Sequence, residues 1–78
     1  MIDFLMNHIF LYLNAKIKKA IEDKILTMYN NAVELYNQKR YQEALDIFKK
    51  IAEYNASYQD VQYYIQNSIA KIESLSQG

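Results

Sequence analysis

The chain has 78 residues, no cysteine, and nine basic residues balanced by nine acidic ones. That length supports one small domain. Disulfide stapling and thiolate metal sites are excluded, and zero net charge argues against a domain built to grip phosphate backbones. The single Gly is the last residue and there is no Pro, so the residues that end helices are missing and an all-α fold with short connections is expected.

Residues 2–13 are the most apolar stretch, carrying Ile2, Phe4, Leu5, Met6, Ile9, Phe10, Leu11, Tyr12 and Leu13. A dozen or so residues are too few to cross about 30 Å of hydrocarbon as a helix, and Asp3, Asn7 and His8 interrupt the run. A secretory signal would place positive charge before the apolar stretch, whereas here the lysines follow it. The expected location is the cytoplasm, with peripheral membrane association through residues 2–13 as the alternative. Beyond Leu13 the apolar positions narrow to one face, with Ile17, Ala20, Ile21 and Ile25 at helical spacing among Lys16, Lys18, Lys19, Glu22, Asp23 and Lys24. This pattern predicts an amphipathic helix. With no Gly or Pro before the next helix, residues 2–37 form one rod or two helices, and a break is expected near Glu22-Asp23. The domain is then read as an apolar and amphipathic N-terminal helix over 1–22, further helices over 23–74, and a frayed tail over 75–78.

The next helix, near 24–37, presents Met28, Ala32 and Leu35 with Tyr29, Val33 and Tyr36 beside them. Asn37-Gln-Lys-Arg40 is a polar run suited to a tight turn, with Asn37 able to take a left-handed cap. A helix near 41–54 directs Tyr41, Ala44, Leu45, Phe48, Ile51 and Ala52 inward, with Asp46 and Lys50 placed to pair on its outer face. Asn55-Ala-Ser57 makes a second turn, Ser57 and Asp60 fit a loose capping box, and the last helix has Val61, Ile65, Ile69 and Ile72 as its seam. Charge is unevenly spread: residues 1–15 hold only Asp3, and residues 54–70 hold only Asp60. Solvated helix faces are usually charged, so both segments are expected to be partly covered.

Tyr41-x-x-Ala44-x-x-x-Phe48, with Ala32 one helix earlier and a 34-residue period from Ile25 to Tyr58, resembles the tetratricopeptide (TPR) family over residues 25–72. Ile51-Ala-Glu-Tyr54-Asn-Ala-Ser57 followed by Tyr63-Tyr64 is similar to bacterial variants of that repeat. The sequence departs from the family pattern at Met28, Asn31, Lys39 and Ala56, and nothing like the second half of a unit follows Ile72. One unit plus a capping helix is what the resemblance covers. It implies three to four helices in all: a TPR-like antiparallel hairpin with an extra N-terminal helix. It also implies a groove lined by first helices, which would place Tyr29, Val33, Tyr36, Tyr63 and Asn67 at a partner-binding surface. The family's carboxylate-clamping set is missing.

No catalytic, metal or cofactor residues are indicated. There is one His, no Cys and no glycine loop, and adjacent Glu22 and Asp23 point about 100° apart on a helix. His8 is read as a helix-surface or interface residue, and Lys16, Lys18, Lys19 and Lys24 as a solvated face diluted by acids. Nucleic acid is not an expected partner, because the Tyr-rich last helix lacks interleaved basic residues. The expectation is a non-catalytic protein-binding or assembly module, oligomeric or part of a larger complex, with Phe4, Leu5, Ile9, Phe10 and Leu11 at the contact. The alternative is a membrane-surface adaptor anchored by the same segment.

Overall fold

The computed structural model describes residues 2–77, with side chains from Met6 to Gln77. Every element among them is helical: α1 spans Ile2–Asn37, α2 Tyr41–Tyr54 and α3 Val61–Gln77. The molecule is a rod, 69 × 18 × 15 Å in its principal extents. The expected break at Glu22-Asp23 does not occur, and α1 runs unbroken for 36 residues. Two adjacent acids carry ordinary helix propensity, and no Gly or Pro is present to interrupt the backbone ladder. There are therefore three helices.

The two connections are made by backbone devices. At the end of α1 the Arg40 N–H donates to the Leu35 carbonyl (2.9 Å) and the Lys39 N–H to the Tyr36 carbonyl (3.0 Å), the bond pattern of a Schellman motif. The left-handed residue that such a motif needs is Lys39, at φ 67°, and Asn37 stays helical. Arg40 then precedes α2 without a side-chain cap. Its guanidinium forks onto Glu43 in the first turn, Nε donating to Oε2 and Nη2 to Oε1. On the outer face, Asp46 accepts from the Gln42 amide at 3.0 Å rather than pairing with Lys50. The second connection is an Asx turn, with the Ser57 N–H donating to Asn55 Oδ1 (3.0 Å). That turn takes over Ser57, so the capping box does not form and α3 begins only at Val61. Its C-terminal end reaches Gln77, within the stretch 75–78 expected to fray.

Packing follows from the inward faces. Ala32 on α1 and Ala44 on α2 are both fully buried, and removing side-chain bulk at these positions lets two backbones approach. Leu45, Phe48 and Ile51 complete the buried stripe of α2, with Tyr41 and Ala52 half-buried at its ends. α3 returns along α2, its Ile72, Leu75 and Ser76 beside residues 39–43. Its buried face is Val61 and Ser68, with Tyr64 and Ile65 packed on the core; Ile69, expected in the seam, is exposed. The Tyr64 ring stacks on Phe48 at 4.9 Å and 6°, and this fixes α3 in a rotation that carries Ser68, one turn on, inward.

Two substitutions test these local features. Lys39 occupies the left-handed region at a cost that Gly does not incur, so Lys39→Gly is expected to stabilise the fold by about 1 kcal/mol. Thermal unfolding should show a midpoint a few degrees higher. Ser68 Oγ is buried without a hydrogen-bond partner. Ser68→Ala is therefore expected to be neutral or stabilising by about 1 kcal/mol in urea titration, and a loss of stability would show that the hydroxyl is satisfied.

Candidate interaction surface

The body formed by α2 and α3 covers only the last part of α1. Among the described side chains of α1, Ile25 is the first that is buried, and Tyr29 and Ala32 follow it into the core. From Met6 to Lys24 every residue is exposed. Along this overhang Met6, Ile9, Phe10, Leu11, Tyr12, Leu13, Ile17 and Ile21 are exposed to between 41% (Ile21) and 65% (Met6). Helical geometry sorts them. Met6, Phe10, Leu13, Ile17 and Ala20 follow one another at alternating four- and three-residue steps, a single seam with Ile9 and Ile21 on its flanks. Tyr12 lies away from that seam among His8, Lys16 and Lys19, and its ring carries the Lys16 ammonium 4.7 Å from the centroid, a cation–π contact. Leu11 stands outside both groups. Ile17, Ile21 and Ile25 are four residues apart, so a row of isoleucines links the seam through its flank to the buried face.

The other candidate residues fare differently. Phe4 and Leu5 lie outside the described side chains. Ile9, Phe10 and Leu11 are on the overhang and in solvent. Tyr29 is 7% exposed and lies edge-on to Phe48 (5.8 Å), Tyr58 (5.5 Å) and Tyr64 (6.1 Å). Its hydroxyl accepts the Asp60 N–H at 3.4 Å. Burial is the main cause of a phenol pKa raised above the usual value, with the Asp60 N–H opposing it. Tyr36 is half-buried, its ring between those of Tyr41 (5.3 Å) and Tyr64 (5.1 Å), and burial raises its pKa too. Val33 packs against the core. Tyr63 is 60% exposed, with its ring edge-on to Tyr64 at 5.4 Å. Asn67 is half-buried and donates its side-chain amide to the Tyr63 carbonyl (2.9 Å). Of the five residues of the implied groove, Tyr29 and Tyr36 join the ring cluster, Val33 packs against the core, and Tyr63 and Asn67 lie on α3.

The seam residues Met6, Leu13, Ile17 and Ile21 are additions to the sequence-based set. Their signal was present in the alternating step, which the wholly apolar run 9–13 obscured. A shallow depression of about 440 Å³ lies between the start of α2 and the end of α3, lined by residues including Arg40, Glu43, Ile72 and Leu75. Among the described residues no group of three or more His, Cys, Asp or Glu could hold a metal ion, and no helix is long and apolar enough to cross a membrane.

No protein-family model, curated protein or solved structure matches the chain. The surface must be read from its own residues.

The placement of Tyr29 gives a pH expectation. A phenol whose pKa is raised on folding contributes stability that is intact below the unfolded value of about 10 and is lost as pH rises through the folded value. Denaturant titrations should therefore show stability falling above about pH 10. Tyr29→Phe should cost about 1 kcal/mol at neutral pH, through the orphaned Asp60 N–H, and make the alkaline fall shallower. An unchanged alkaline slope would remove Tyr29 from this role.

Proposed function

We propose that this chain is a non-catalytic protein-binding or assembly module, in which the α2–α3 body holds one end of α1 and the overhang is the contact element. The observation that carries this reading is the exposed seam from Met6 to Ile21, a stretch of α1 that no other described residue covers. Contiguous exposed apolar side chains on a protein surface mark contact sites. The TPR-like reading of residues 25–72 is supported by the buried Ala32 and Ala44 at the meeting of α1 and α2 and by the fully buried Phe48. The body then serves as a scaffold, and its Tyr-rich α3 offers Tyr63 as a secondary contact.

The alternative, a membrane-surface adaptor, draws on the same apolar residues with Lys16, Lys18 and Lys19 meeting headgroups. Glu22 and Asp23 share the helix with those lysines, and Lys16 is engaged over Tyr12, so protein is the better partner.

The expected behaviour is association through the overhang while the body stays intact. Phe10→Ser combined with Leu13→Ser should abolish both self-association in light scattering and capture of partner proteins by immobilised full chain. The near-ultraviolet circular dichroism of the ring cluster should persist. A chain that neither self-associates nor captures any protein would end the proposal.

A further inference from the structure

We propose that the occupant of the exposed seam is a second copy of this chain, with the two overhangs packed antiparallel and level at residue 15. This rests on the assembly reading above and specifies its partner.

The area is the first argument. Six large apolar side chains on the seam and its flanks, Met6, Ile9, Phe10, Leu13, Ile17 and Ile21, are 41–65% exposed, each leaving on the order of 100 Å² in water. Together they offer on the order of 600 Å² a side, so a pair would bury about 1,200 Å², the lower end of a standard interface. An isologous pair presents the same patch twice and closes on itself, so both seams are covered at once. The overhang from Met6 to Lys24 is roughly 28 Å long at the helical rise. Beyond it the body occupies the helix, so a partner helix must end its contact near Ile25.

Charge selects the direction. Residues 6–15 hold no Lys, Arg, Asp or Glu, whereas 16–24 hold four lysines and two acids. In a parallel pair each lysine lies level with its own copy, which is repulsive. In the antiparallel pair the lysine-bearing half of one helix runs beside the uncharged half of the other, and the helix dipoles oppose.

Side-chain size selects the register. The seam's four-three step is the spacing of an a/d interface. Levelling the helices at residue 15 sets Phe10 against the second copy's Ala20, so the largest seam residue meets the smallest, and sets Leu13 against Ile17. Ile9 and Ile21 border the contact on its two opposite sides. At each end Met6 lies along the stem of Lys24, whose ammonium reaches water. Tyr12 stays on the outer side.

The test is sedimentation equilibrium of the full chain at ten to several hundred micromolar, with engineered cysteines for direction; the native chain has none. The expected mass is twice 9.3 kDa. Phe10→Ser with Leu13→Ser should weaken the dimer at least about 100-fold, and Tyr12→Ser should leave it within a few-fold. Mixed Met6→Cys and Lys24→Cys chains should form a disulfide between the two variants under air oxidation. A monomer at every concentration, a trimer or larger species, a dimer indifferent to Phe10 and Leu13, or self-linking of Met6→Cys alone would each overturn the proposal. A monomer that binds phosphatidylserine-containing vesicles would overturn it in favour of lipid. A monomer that captures another protein through the overhang would overturn the pairing while leaving the assembly function standing.

Discussion

The length difference between the helices governs this molecule: α1 has 36 residues, while α2 has 14. Because an α-helix rises about 1.5 Å per residue, α2 covers well under half of α1, and α3 packs chiefly on α2. The surplus of α1 projects as a rod. Nothing in the amino-acid order stops the helix earlier, since a helix ends where a left-handed residue, a proline or a competing turn takes its carbonyls, and the first such device is the one at Lys39.

Within the body, aromatic rings make the cross-helix connections. α1 and α3 each pack mainly on α2 and meet each other through rings, Tyr29 and Tyr36 both reaching Tyr64, which is stacked on Phe48. Edge-to-face and stacked rings add about 0.5–1.5 kcal/mol per pair beyond their buried area. Here they also fix how α3 is rotated. The body is small for its helical content, and these rings do much of the work that longer aliphatic layers do in larger domains.

Much of this arrangement was legible in the residues. The α2 stripe Ala44, Leu45, Phe48 and Ile51 stood out because its opposite face is charged, so only one rotation buries apolar atoms. The α3 seam was harder to read, since Tyr64 and Ile69 compete as inward residues and only the position of Phe48 decides between them. Tyr29 comes to a binding surface only through the TPR resemblance, and its burial depends on the Asp60 N–H, thirty-one positions away, which no local pattern reveals. Ser57 looked like a cap, but the Asn55 side chain captures its N–H first. The overhang seam was hidden by Leu11 and Tyr12, which fill the space between seam residues and make a patterned segment look uniformly apolar.

The uninterrupted junction at Lys24-Ile25 has a mechanical consequence. With no loop between them, the overhang and the body share one helical phase, so the direction in which Phe10 and Ile17 point is locked to the direction in which Ala32 points. One residue inserted there would turn the seam by about 100° and move it by about 1.5 Å, leaving both segments chemically identical while re-aiming everything attached to the rod. Four residues would nearly restore the aim at a greater reach. The junction therefore works as a rigid angular coupling, and twist or tension applied at the tip is transmitted directly to the Tyr29 ring contacts.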